Sequence, residues 1–330
     1  MLAVTASDLV NTTVKNPGIV IGLSLDFTSL LLVAVVTMLL SALRHQKIHQ
    51  LIEKVQSVQK FVDPQKRRIR MKRSLLALWI LGIGLAILTE AMFEKTPIVQ
   101  NLLRFYIQLI KLYIAVRNLE VVGQIIEAAK VLNSKMAAVS EGDGGVVTVK
   151  EREKREWHKI KCIRTLGGVH WMICESIQDV SEVYGIQLLL EVLCLFVLIT
   201  TTSYSAYSTY QNGKFPEAYY CTTCKLCWTI LEVVELIVLI VPCATATEEA
   251  NKTQTIVCQL LNKKLTSGVR KALSTLALHL PHHNTRFSAY GMFYLDLSVI
   301  STVTGAVATY LIMIIQFQDA KVIKKAIDNV

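Results

Sequence analysis

LSVISTVTGAVATYLIMIIQF, residues 297–317, is a run of 21 residues without a charge. The hydrocarbon core of a bilayer is about 30 Å thick and a helix rises about 1.5 Å per residue, so about 20 apolar residues make one crossing. This run is therefore a transmembrane helix. Working outward, five more runs meet the same length. They are 18–43, with Asp26 its single charge; 74–93, with Glu90 near its end; 98–116, interrupted by Arg104, Gln108 and Lys111; 186–204, with Glu191; and 222–245, with Lys225, Glu232 and Glu235. Few glycines and prolines interrupt them, and no succession of short alternating strands suggests a barrel. The expected fold is all-α, a polytopic membrane helical bundle with about six spans.

Composition agrees. Of 330 residues, 52% are hydrophobic and 18% charged, against about 25% charged in a soluble domain. Mean hydropathy is +0.44. That much apolar surface excludes a disordered chain. The net charge of +10 is concentrated: residues 44–73 hold ten Lys/Arg against Glu53 and Asp63. A basic stretch between two apolar runs reads as a cytosolic loop, not as a nucleic-acid surface. Alternation then places 94–97 and 205–221 outside, 117–185 and 246–296 inside, and both chain ends outside. Lys321, Lys324 and Lys325 run against this assignment.

The inside segments carry helical periodicity. Ile48, Leu51, Ile52, Val55 and Val58 mark a helix over 45–61. The third span continues through Val121, Ile125 and Val131 to the breaker cluster at Ser140–Gly145. Another helix leads from Lys150 into the fourth span, and residues 252–278 read as one helix ending near Pro281. Such amphipathic helices require a bundle beyond the membrane, inside one chain or shared between subunits.

The chemistry-bearing motifs are sparse. GxSxG, Walker A and HExxH are absent, and Gly144-Gly145 and Gly167-Gly168 open no strand–helix unit, so no enzymatic activity and no cofactor are expected. Cys221, Cys224 and Cys227 stand at i, i+3 and i+6. That spacing fits a metal cluster, small apolar packing or a local disulfide, and with no fourth ligand nearby no metal site is expected. Arg104, Gln108 and Lys111 share one helix face, and Tyr106 and Tyr113 recur seven residues apart. Glu90, Glu191, Glu232 and Glu235 offer opposite charge. Two readings stand: inward-facing ion pairs that spare the lipid, or a hydrated pocket open to the outside in which Glu90, Arg104, Tyr106 and Gln108 meet a ligand.

The final span ends Thr309-Tyr310, five apolar residues, then Gln316-Phe317. Before it stands Phe287-Ser-Ala-Tyr-Gly-Met-Phe-Tyr-Leu-Asp296, and the fourth span opens Tyr184-Gly-Ile-Gln-Leu-Leu-Leu190. These motifs resemble the insect gustatory receptors, whose last helix carries TY, five hydrophobics, QF. The resemblance covers the chain from Gly18 onward. It implies a seven-helix chemoreceptor-type ion channel subunit, here without the family's first span. Residues 1–17 would be an extracellular remnant and 18–116 family spans 2–4. Residues 117–185 would be a cytosolic extension, 186–245 spans 5–6, 246–296 an anchor helix and re-entry, 297–317 the pore-lining helix and 318–330 a tail.

The function implied is a ligand-gated nonselective cation channel for a small-molecule tastant. It would sit in the plasma membrane of chemosensory neurons, as a homo- or heterotetramer with other gustatory receptor subunits. Gln316 and Phe317 would stand at the gate, with Met313, Ile312 and Thr309 lining the pore on the same face. A G-protein-coupled chemosensory receptor is the alternative, and a membrane transporter a weaker one.

Overall fold

The computed structural model of the chain describes residues 17–62, 98–139, 149–212, 217–280 and 285–327, with Gly82 and Gly84. These form α1 (Pro17–Leu43), α2 (His45–Val62), α3 (Ile98–Ala138), α4 (Val149–Asn212), α5 (Glu217–Leu261), α6 (Ser267–His279), a hairpin of β1 (Ser288–Ala289) and β2 (Phe293–Tyr294), and α7 (Leu297–Ile327). The fold is an all-α membrane bundle. Among the described residues α4, α5 and α7 are each long and apolar enough to cross a bilayer, and α1 and α2 form a further pair bent by 74°. The expected span at 74–93 lies outside the described residues. α3 carries Arg104, Gln108 and Lys111, so it is the least apolar of the expected spans.

Length dictates the rest. The 64 residues of α4 reach about 95 Å and the 45 of α5 about 68 Å, more than twice the bilayer core. Each must project far beyond it. There α2 through α6 pack a continuous core that includes Val55, Leu132, Met136, Ile173, Ile177, Val257 and Leu273. Buried Asn133 ties α3 to α5: its Nδ2 donates to the Glu249 carbonyl at 2.8 Å and its Oδ1 accepts from Thr253 Oγ1 at 2.7 Å. Both polar ends of the amide are thus satisfied in an apolar setting.

Local structure departs from the sequence pattern at three points. The helix read over 252–278 breaks after Leu261. Arg270 donates from Nη1 to the Leu261 carbonyl at 3.2 Å and from Nη2 to the Lys263 carbonyl at 3.3 Å, and extended Thr266 starts the next helix. A guanidinium that satisfies terminal carbonyls lets α5 stop there. The stretch 287–295, for which no strand was expected, is a hairpin. Phe287, Ala289 and Leu295 are buried, the period-two signature of strands. Tyr290 and Gly291 take positive φ of 54° and 77°, and the Met292 amide donates to the Ala289 carbonyl at 3.0 Å, which is the geometry of a type I′ turn. In addition, α7 continues ten residues beyond Phe317, to Ile327.

Candidate functional site

The last helix is held along one side by α4 and α5. Two contacts fix its register on α4. The rings of Phe196 and Tyr310 meet edge to face at 5.6 Å, and Tyr204 Oη donates to Gln318 Oε1 at 2.8 Å. Each pair spans the same 114 positions, so α4 and α7 run parallel in constant register over eight residues, about 12 Å. Thr309, Ile312, Met313, Gln316 and Phe317 are all exposed. Ile312 at 57%, Met313 at 45% and Phe317 at 67% leave an apolar face that nothing in the described chain covers.

Behind this face, α3, α4 and α5 enclose charge. Lys111, 1% exposed, places Nζ 3.0 Å from Glu235 Oε1 and 3.5 Å from Glu191 Oε1. Charges buried at this depth persist only when paired. The expected inward ion pairs are therefore present, and of the three candidate carboxylates among the described residues the geometry selects Glu191 and Glu235. Glu232 is used otherwise. Thr202 Oγ1 lies 2.9 Å from its Oε2 and 3.2 Å from Thr229 Oγ1, and Lys225 Nζ donates to Thr209 Oγ1 at 2.8 Å. This polar seam between α4 and α5 escaped the sequence reading, although the run Thr200-Thr-Thr-Ser-Tyr-Ser-Ala-Tyr-Ser-Thr209 was its signal.

Of the residues expected to meet a ligand, the structure describes the side chains of Tyr106 and Gln108. Glu90 and the side chain of Arg104 lie outside the described residues. Gln108 is buried, whereas Tyr106 and Tyr113 are exposed on the outside of the bundle. Two positions apart on a helix means opposite sides, so Tyr106 and Gln108 do not share a pocket. Cys221, Cys224 and Cys227 follow one another on α5 with the first half-buried, the second buried and the third exposed. Among the described residues no group of three or more His, Cys, Asp or Glu is placed to hold a metal ion.

The first part of the basic stretch clamps α4. Arg44 Nη1 donates to the carbonyls of Glu182 and Val183 at 2.6 and 2.9 Å. Lys47 Nζ donates to Glu182 Oε1 at 2.7 Å, and Lys54 Nζ lies 2.6 Å from Asp179 Oδ2 and 3.0 Å from Glu175 Oε1. The Lys47 hydrogen bond, followed by its charge, holds the Glu182 carboxyl below its ordinary value. For Lys54, partial burial works to lower the ammonium's value, but the bonds to Asp179 and Glu175 outweigh it and the net shift is upward.

Long helices, apolar spans and a charge-paired interior define a polytopic helical membrane protein. The chain belongs to the 7tm chemosensory receptor family, whose profile matches residues 15–321. It is 29% identical over 154 residues to "Putative gustatory receptor 28b" of Drosophila melanogaster, covering 45% of this chain and 33% of that protein. It is 26% identical over 160 residues to "Gustatory receptor for sugar taste 43a" of the same organism, covering 47% and 36%. The matched stretch thus spans about a third of these relatives' length. In fold the chain is similar to the insect olfactory receptor OR5 from Machilis hrabei, with a TM-score of 0.60 at 11% identity over 89% of this chain and 80% of that one. These relatives are named as receptors, and the family to which the chain belongs is one of chemosensory receptors.

Proposed function

We propose that the chain is a subunit of a ligand-gated, nonselective cation channel that opens on a small-molecule tastant. The observation that carries this is α7: a 31-residue helix, packed on one side against α4 and α5, with Thr309, Ile312, Met313, Gln316 and Phe317 exposed on the other. Lipid would cover the apolar side chains of that face but would leave the polar groups of Thr309 and Gln316 without water, whereas symmetry-related copies of the same helix around one axis would turn them to a shared hydrated path. Apolar Phe317 and Ile312 close such a ring by dewetting, and the Gln316 amide accompanies hydrated cations when it widens. An open groove of about 690 Å³ between α4 and α6, beyond the spans, offers a further surface for assembly.

In this reading the basic stretch is cytosolic, the ends of α3 and α4 near the polar seam face outside, and Glu90, Arg104 and Gln108 contribute to ligand recognition in the outer half, with Tyr106 on the opposite side of α3. The assembly is a tetramer of this chain or of related subunits in the plasma membrane of chemosensory neurons. Relatives named for sugar taste and for bitter taste support a tastant as the ligand without choosing between them.

Whole-cell current during a tastant screen tests the proposal, comparing wild type with Gln316→Ala at equal surface expression. Altered conductance or gating supports it. A current that persists only while a G protein is active, with an internal C-terminal tag, favours the G-protein-coupled alternative.

A further inference from the structure

We propose that residues 181–185 of α4 form a joint through which the bend between α1 and α2 sets the position of the hairpin, and with it that of α7. Arg44 is the single residue between α1 and α2, at their 74° bend. Its Nη1 donates to the carbonyls of Glu182 and Val183, and Lys47 holds the Glu182 carboxylate. The same turn of α4 seats the hairpin. Ser181 Oγ accepts from the Ser288 amide at 3.0 Å, and Gly185 lies against the Tyr290 backbone. Two elements far apart in the chain thus hold five consecutive residues of a third.

This turn is where α4 bends readily. Ser181 Oγ also donates to the Ile177 carbonyl at 3.0 Å, a back-bond that competes with the helical ladder and favours bending. An interior helix carbonyl ordinarily serves the N–H four residues on, and Arg44 competes for two of them. Gly185 adds a residue of low helix propensity. The hairpin resting on the turn is strained. Tyr290 has a φ of 54°, a left-handed conformation that a bulky residue keeps only where its surroundings impose it. From β2 the chain enters α7 without slack. The Leu295 amide donates to the Phe287 carbonyl at 2.9 Å, and Asp296 Oδ1 caps α7 by accepting from the Ser298 amide at 3.0 Å. A shift of Arg44 at the bend therefore reaches the first turn of α7 through a chain of direct contacts.

Coupling between two sites is reciprocal, and hydrogen exchange reads it whether or not the chain conducts ions. In the full chain, reconstituted in lipid nanodiscs, Arg44→Gln removes both guanidinium bonds to α4. Hydrogen bonds from a charged donor change a local opening equilibrium by about tenfold or more, so peptides covering 286–300 are expected to exchange several-fold faster. Lys54→Gln breaks the other contact of α2 with α4, at Asp179 and Glu175, and should leave those peptides at the wild-type rate. In the reverse direction, Ser181→Ala removes the acceptor of the Ser288 amide. The amides of Arg44 and Ile48, bonded to the Leu40 and Arg44 carbonyls, should then exchange faster, and this variant carries the test if Arg44→Gln does not fold. Wild-type exchange over 286–300 in folded Arg44→Gln overturns the proposal, as does wild-type exchange at the bend in Ser181→Ala. Equal loosening of the hairpin by Lys54→Gln also overturns it, since α2 packing as a whole would then be the cause.

Discussion

Gly185 of α4 lies directly beneath the backbone of Tyr290. A Cβ on Gly185 would stand 2.8 Å from the Tyr290 amide nitrogen and 3.4 Å from the Ser288 carbonyl oxygen. The hairpin is seated there by a second contact, the Ser288 amide donating to Ser181 Oγ at 3.0 Å. Because the obstructing atoms are backbone in a tight turn, they cannot swing aside as a side chain would. Two of the sequence motifs thus meet at this point, and the hairpin leads straight into α7.

Gly185→Ala is therefore expected to destabilise the protein by about 1–3 kcal/mol through overpacking. Gly168→Ala, on the same helix but facing open space, is expected to be neutral or to gain up to about 1 kcal/mol from helix propensity. Thermal unfolding of the two purified variants decides it. Equal behaviour would mean that the hairpin does not depend on this close approach.

The contrast between Gly185 and Gly168 also shows what the sequence could not tell. Helices were legible because hydrophobic period and length are local: α2, α3 and α4 run where their apolar residues repeat. The partner of Lys111 was not, since Glu90, Glu191, Glu232 and Glu235 look alike until three helices set their depths. The break after Leu261 depends on Arg270 folding back, which periodicity does not register. The hairpin at 288–294 is two residues per strand, too short for alternation to stand out from a motif. Tyr106 and Gln108 were grouped by polarity, although helical geometry alone sets them on opposite sides. That Thr309, Ile312, Met313 and Gln316 share one face of α7 was legible, because it needed one helix and no partner.

Tyr204 and Gln318 tie the C-terminal part of α4 to the residue just past Gln316-Phe317. Removing the hydroxyl in Tyr204→Phe, or the acceptor in Gln318→Leu, is expected to cost about 0.5–1.5 kcal/mol each. The double variant should cost clearly less than the two together, since they share one bond. Additive losses in thermal unfolding would show that the contact carries no coupling.

The Lys47–Glu182 pair predicts a dependence on pH. The folded-state value of Glu182 is lowered from the ordinary 4.5, so its contribution is present above that value and is lost as pH falls through the lowered one. The pair is exposed, and the effect is accordingly small. The Tm difference between wild type and Glu182→Gln should be present at neutral pH and close in acid. Lys54 has the opposite sign: its raised value keeps its contribution intact below 10.5 and loses it on the alkaline side. A difference between wild type and Glu182→Gln that widens in acid would contradict the assignment.

Lys111→Met tests whether the buried charge is structural. The substitution nearly preserves volume but leaves Glu191 and Glu235 without their ammonium at a site from which water is excluded. Breaking a buried pair by removing one partner costs about 3–5 kcal/mol, because the remaining charge is uncompensated. Removing all the charges together leaves nothing to compensate. The triple variant Lys111→Met, Glu191→Gln, Glu235→Gln is therefore expected to recover most of the lost stability, whereas Lys111→Met alone should unfold early or fail to reach the surface. Unfolding temperature and surface labelling of the two proteins side by side give the answer. If the single variant matched wild type, Lys111 would have to reach water by a path that its burial between α3, α4 and α5 does not offer.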